Sequence, residues 1–206
     1  MDTLKYICDK YSIDQSKESP FYINCCRLDD LPTLFKELGF TKGAEIGVLE
    51  GNYSAKLCQS NPEMKVYSID AWQFYPLKKN FRRSWMYPAI YKKAVQKLAP
   101  YKNNEIIRKW SEDAVNDFAD GSLDFVFIDA NHEFQHITND IATWDKNVRK
   151  GGIVSGHDYG HSPNRKTTFC HVKDVVDAWT YAHDIKPWFV LESPHKYETG
   201  WMWVKE

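Results

Sequence analysis

Short apolar runs alternate with segments whose apolar positions recur at helical spacing, and the alternation holds for most of the chain. The first run is Ala44 to Val48, ending in a glycine-bearing turn, with a helix-like segment from Asn52 to Gln59 directly behind it. Lys65 to Asp70 and Glu105 to Lys109 read as the next two strands. Leu123 to Asp129 is the most strand-like run and reads as a buried central strand. Gly151-Gly152 turns into a fifth strand, Ile153 to Ser155. Trp188–Leu191 and Trp201–Val204 form a final hairpin-like pair. Between them, Leu31, Leu34, Phe35 and Leu38 mark a helix with Asp30 as its cap, Pro32 in its first turn and Gly39 as its stop. Further helices are expected up to Leu98, over Phe134–Val148 and over Val172–His183, and Ser111 is placed to cap a short one. The pattern predicts a doubly wound, mostly parallel seven-stranded α/β sheet with a C-terminal antiparallel strand.

Two segments break the rhythm. Residues 1–40 read as a helical arm, with a short helix over Thr3–Tyr11. Residues 71–91 read as an insert crowded with rings (Trp72, Phe74, Tyr75, Phe81, Trp85, Tyr87, Tyr91) and with Lys78, Lys79, Arg82 and Arg83. Such a mixture can grip single-stranded nucleic acid, but it also suits a lid over a small-molecule site. The net charge of −1 and the lack of a second basic stripe favour the lid and disfavour nucleic acid. The basic residues would also suit an acidic or phosphorylated acceptor.

With 206 residues, 43% hydrophobic and 27% charged, one domain spanning 1–206 is expected. Five cysteines without CxxC spacing read as reduced thiols in a cytoplasmic setting. Early charges argue against a signal peptide, and no stretch is long and apolar enough for a membrane span. Tryptophans near the chain ends leave a homo-oligomeric self-contact open.

Acids fall where such a sheet gathers its ligands, at the carboxyl ends of strands. Glu45 lies inside the first strand, Asp70 ends the second, Asp129 ends the fourth and Asp158 follows the fifth. A carboxylate in an apolar strand needs a cationic or hydrogen-bonding partner. With Gly47 and Gly51, Glu45 makes an acid-x-Gly-x-x-x-Gly turn that suits an ammonium-bearing ligand better than a pyrophosphate. Asp70 stands 19 positions beyond Gly51, close to the interval for a ribose-binding acid. A nicotinamide-dependent oxidoreductase and a non-catalytic cofactor-binding module are the alternatives. His157, His161, Cys170 and His171 match no structural zinc spacing.

The segments GAEIGVLEGNYSAKL, VYSIDAW and LDFVFIDANHEFQHITNDIATWDKNVRKGGIVSGHDY resemble the class I S-adenosylmethionine-dependent methyltransferases. The nearest likeness is to the group around catechol O-methyltransferase and the macrolide-sugar O-methyltransferases. The resemblance covers about Gly43 to Tyr159. It implies that Glu45, Gly47 and Gly51 hold the methionine part of the cofactor, that Asp70 holds the ribose, and that Ser111 and Glu112 flank the adenine. It also puts Asp129 where metal-dependent relatives have a metal ligand and His132 where they carry the catalytic base. Asp129, His157 and Asp158 are then candidate ligands for a divalent ion such as Mg²⁺, although imidazole shifts the preference toward transition metals. The activity implied is methyl transfer to an oxygen of a small hydroxylated acceptor, a sugar or a phenol.

Overall fold

A computed structural model describes residues 1–74, 83–160, 170–193 and 199–206. The strands are β1 (Phe21–Asn24), β2 (Lys42–Ile46), β3 (Lys65–Ile69), β4 (Asn104–Ile107), β5 (Leu123–Ile128), β6 (Val148–Gly156), β7 (Trp188–Glu192) and β8 (Gly200–Val204). They form one sheet in the order β1-β7-β8-β6-β5-β2-β3-β4. Pairing is antiparallel where β8 meets β6 and β7, and parallel elsewhere. The sheet is therefore the doubly wound one expected, with an eighth strand. That strand, β1, comes from the N-terminal segment. Its four residues show too short an alternation to read, and its partner β7 lies some 170 residues on, Phe21 facing Phe189.

The helices are α1 (Thr3–Lys10), α2 (Asp30–Glu37), α3 (Asn52–Ser60), α4 (Tyr87–Leu98), α5 (Ser111–Ala114), α6 (Phe134–Trp144) and α7 (Val172–Ala182). The two faces of the sheet carry separate cores. One packs α6 and α7 against Val126, Val154, Trp201 and Trp203. The other packs α1, α2 and α3 against Phe125, Phe127, Phe189 and Met202. Alternation along β5 explains the division, since successive side chains point to opposite faces. Trp188, Trp201 and Trp203 are buried, so those rings are core and not a self-contact surface. Within the 71–91 segment, Trp72 and Tyr87 are buried, while Phe74 and Trp85 are exposed. Tyr75, Lys78, Lys79, Phe81 and Arg82 lie outside the described residues, as do His161 and His195. Among the described residues, no helix is long and apolar enough to cross a membrane.

Two details position the carboxyl ends of the strands. The order reverses between β2 and β5, which makes a crevice at the switch point. Gly47, at φ +93°, lets the end of β2 run against β5. A Cβ there would stand 2.2 Å from the backbone oxygen of Asp129. At the opposite end of the sheet, Asp124 is buried and accepts from Thr41 N (2.6 Å), Lys42 N (3.0 Å), Thr41 Oγ1 (3.0 Å) and Arg149 Nε (2.6 Å). Burial acts to raise its pKa, but the donors from Thr41, Arg149 and Lys42 outweigh burial and hold it below the ordinary carboxylate value.

A group with a depressed folded pKa stabilises the fold above its unfolded pKa, and that stabilisation fades as pH falls through the folded value. Asp124→Ala should therefore cost about 3 kcal/mol at pH 7, because four donors lose their acceptor. That is roughly 6–12 °C in melting temperature for a chain of this size. The deficit should shrink in melts run near pH 3; an equal deficit at both pH values would show that Asp124 acts by packing alone.

Candidate active site

The crevice at the switch point opens into a cleft of about 750 Å³. Its size lies within the range of small-molecule sites. Glu45, Gly47, Asp70, Ser111, Glu112, Asp129 and His132 all line it. The sequence-predicted acids are thus brought together from β2, the end of β3, α5 and the end of β5. Gly51 is not among the lining residues. It sits at φ +79° before α3, and the space beside its Cα faces Leu98 and Ala94 of α4. The close approach of α4 there leaves little room for a side chain.

Glu45 is 2% exposed. Its carboxylate accepts from Ser54 Oγ, which accepts from Ser68 Oγ (2.6 Å), which accepts in turn from Asn104 Nδ2 (2.6 Å). This relay begins at an amide N–H, so each hydroxyl proton points toward Glu45. Burial is still the largest influence, and it pushes the carboxyl pKa up to about 8, against the Ser54 bond.

Asp70 ties two loops together. It accepts Leu49 N on one oxygen (2.9 Å) and Trp72 N on the other (2.7 Å), and Trp72 Nε1 donates to Leu49 O (2.7 Å). Leu49 (φ 51°) and Trp72 (φ 45°) are both left-handed. Positive φ at bulky residues is strained and persists only where contacts hold it, as this closed ring of bonds does.

Ser111 does not cap α5. Trp110 occupies the cap position, and the Ser111 hydroxyl instead donates to Asp140 of α6 while accepting from Trp144 Nε1 (2.8 Å). Asp140 is 8% exposed and borders the cleft. Burial, chiefly, raises its pKa to about 6, against the Ser111 bond. Sequence reasoning missed it, although an acid between Ile137 and Trp144 on the apolar face of a helix is a readable signal.

After β5, His132 Nε2 lies 3.4 Å from Asp129 Oδ1 and 3.2 Å from Asp158 Oδ2. The ligand atoms of Asp129, His132 and Asp158 all lie within 4.8 Å of one another. His157 stands behind them, with Nδ1 3.2 Å from Asp158 and 3.9 Å from Asp129. Its Nε2 is buried without a hydrogen-bond partner among the described residues. The compact trio therefore contains His132 where the sequence suggested His157. Asp158 is itself left-handed at φ 58°. Burial would raise its pKa, but the bond from His157 and the charge of His132 bring it below the ordinary value. Arg27 also enters the site, with Nη1 3.2 Å from Asp129 Oδ2. It comes from the loop after β1, where no periodicity or motif marks it.

The comparisons bear on the family and the fold. A family model described as a methyltransferase domain matches residues 44–159. An uncharacterized protein of Acanthamoeba polyphaga mimivirus is 25% identical over 150 residues, 73% of this chain. The match spans 65% of that protein, under two thirds of its length. Among solved structures, the chain is similar to an O-methyltransferase from Bacillus cereus in complex with S-adenosylhomocysteine. That similarity has a TM-score of 0.63 and 15% identity, and covers 100% of this chain and 91% of the other. It is also similar to the O-methyltransferase TomG from Streptomyces achromogenes, in complex with S-adenosylmethionine. Here the TM-score is 0.61 and the identity 16%, with 85% of this chain and 78% of the other covered.

Glu45 offers a test that needs no ligand. A carboxyl whose folded pKa is raised keeps its proton when folded and loses it when unfolded, so stability falls as pH rises from the ordinary carboxylate value to about 8. Glu45→Gln should remove that slope. Its melting temperature should match the parent near pH 4.5 and exceed it by about 2–8 °C at pH 8.5, an offset of roughly 1–2 kcal/mol. Parallel pH profiles for the two proteins would show that Glu45 is not neutral in the free fold. The matched segment holds β2, β3, β5 and most of the cleft wall, and by that match the chain belongs to the methyltransferase domain family.

Proposed function

We propose that this methyltransferase moves the methyl group of S-adenosylmethionine to an oxygen of a small hydroxylated acceptor, with His132 receiving the acceptor's proton. The observation that carries the reading is the make-up of the cleft. Buried acids and hydrogen-bonded loops line it, and its wall includes an imidazole held between two carboxylates. When bound, S-adenosylmethionine supplies an electrophilic methyl carbon and a sulfur leaving group.

The chain's own residues do the rest. Glu45, deprotonated on meeting an ammonium group, would hold the amino-acid part, in the position that the family resemblance implies. Asp70, fixed by backbone N–H groups on both oxygens, would accept from a ribose hydroxyl, in the position that the family resemblance implies. Gly47 keeps the end of β2 tight against the turn after β5, which sets the floor of the cleft where the sulfonium would lie. A hydroxyl is a weak nucleophile until its proton leaves, and an imidazole held at the cleft wall is suited to take it. Asp129 and Asp158 flank Nε2 and would stabilise the imidazolium that results.

The same three side chains also fit a divalent ion, with one nitrogen and two carboxylate oxygens as donors. An ion there would lower the acceptor hydroxyl's pKa and orient it. Mixed nitrogen and oxygen donors suit Mn²⁺, Fe²⁺ or Zn²⁺ better than Mg²⁺. His132 Nε2 cannot both ligate an ion and accept a proton, so the two readings separate experimentally. A nicotinamide-dependent reaction is not favoured, because the family match is to methyltransferases.

A panel of sugars and phenols, assayed by S-adenosylhomocysteine release with and without EDTA, Mg²⁺ and Mn²⁺, tests both readings. His132→Ala should keep calorimetric affinity for S-adenosylhomocysteine within about threefold and lose turnover by about 10²-fold or more, the size of a general-base contribution. Turnover that survives the substitution would remove His132 as base. Activity abolished by EDTA and restored by Mn²⁺ would make His132 a ligand instead.

A further inference from the structure

The Trp144–Ser111–Asp140 relay has a fixed direction. An indole nitrogen only donates, so Ser111 Oγ accepts from Trp144 and its own proton must go to Asp140 Oδ1. The other carboxylate oxygen has no hydrogen-bond partner among the described residues, and the side chain borders the cleft beside Trp110, Glu112, Asn139 and Thr143. An ionised carboxylate accepts and cannot donate. This lobe therefore presents a buried, oriented acceptor next to an indole that can cover a ring. It is formed where the start of α5, after β4, meets α6, after β5.

We propose that Asp140 is the residue that selects the base of the cofactor, its free oxygen accepting a hydrogen bond from an exocyclic amine. The assignment rests on the S-adenosylmethionine reading of the cleft and names the atom that makes that reading specific. A 6-amino purine places a donor against Asp140. A 6-oxo purine places an oxygen there, which leaves the buried carboxylate unpaired and facing a like partial charge. Sites built around a buried polar group reject ligands that leave it unpaired far more strongly than apolar pockets reject a misfit. Ser111 acts as a positioning residue in this scheme, because its proton fixes which oxygen of Asp140 is engaged and which is free.

The relay also predicts the behaviour of the amide. In Asp140→Asn, the Ser111 proton still needs an acceptor, so it takes the amide oxygen and turns the NH₂ group to the cleft. The acceptor becomes a donor with almost no change in shape, and the preference for the base should invert.

The test is calorimetric titration of the parent and the Asn variant with S-adenosylhomocysteine and S-inosylhomocysteine, which differ only at the purine ring. The parent should favour the adenosyl ligand by about 10²-fold or more. The variant should bind the two within about threefold or prefer the inosyl ligand. Equal binding of both by the parent, or an unchanged ratio in the variant, would overturn the assignment. Binding of neither by the parent would overturn the cofactor reading and the assignment with it. Should the Asn variant fail to fold, Ser111→Ala examines the same relay. It should lower the parent's ratio at least threefold, with the melting temperature as control, and a ratio left intact would overturn the scheme.

Discussion

The fold is organised around the need to keep two carboxylates, Glu45 and Asp140, in a largely dry crevice. Burying a carboxylate without partners costs several kcal/mol, a large part of the net stability of a domain, whether it goes into the charge or into taking up a proton. The protein answers in the same way on both sides of the switch point. A side-chain N–H donates to a serine, and the serine donates to the acid: Asn104 through Ser68 and Ser54 to Glu45, and Trp144 through Ser111 to Asp140. Each relay draws on distant parts of the sequence and fixes their relative position. β4, β3 and α3 are held to β2 by one, and α6 to the start of α5 by the other. The apolar cores supply most of the folding energy, but these relays specify where the elements stop and what the cleft shows to a ligand.

The sheet was legible because its signal is repeated. β2, β3 and β5 each carry an apolar run with an acid within it or at its carboxyl end, and helical spacing directly follows β2 and β5, so any one weak reading is supported by its neighbours. What stayed hidden is what depends on contact across the chain. β1 is four residues long and is a strand only because β7 pairs with it. Leu49 and Trp72 are poor candidates for left-handed backbone by residue type. They adopt it because Asp70 and the Trp72 indole close a ring of hydrogen bonds around them. Ser111 looks like a helix cap in sequence because serine before two acids usually is one. Tertiary contact gave its hydroxyl a better acceptor in Asp140.

The same distinction runs through the site. Acids at strand ends could be found from the chain alone, since strand ends converge at one rim. The choice of imidazole beside Asp129 and Asp158 could not, because it depends on how the turn after β5 folds back. His132, three residues along that turn, reaches both carboxylates with one nitrogen, whereas His157 approaches from β6 behind them. Arg27 shows the limit most clearly. Its loop has no pattern, yet it delivers a guanidinium to Asp129 from the far side of the sheet order.

Asp129 is thus shared by a guanidinium on one oxygen and an imidazole on the other. This sharing constrains the chemistry available at the rim. A carboxylate engaged by Arg27 through Oδ2 is a weaker partner for anything else on that atom, so Oδ1 becomes the face it turns to His132. Charge balance points the same way. Asp129 and Asp158 together carry two negative charges, and Arg27 offsets one of them. The remaining negative charge suits a single added positive charge at Nε2, which is what an imidazole gains when it takes a proton from a hydroxyl. A divalent ion in the same place would leave the cluster with a net positive charge unless the acceptor arrived as an oxyanion. Either way, the cluster is balanced for the state that the proposed reaction requires, in which the acceptor's oxygen has given up its proton.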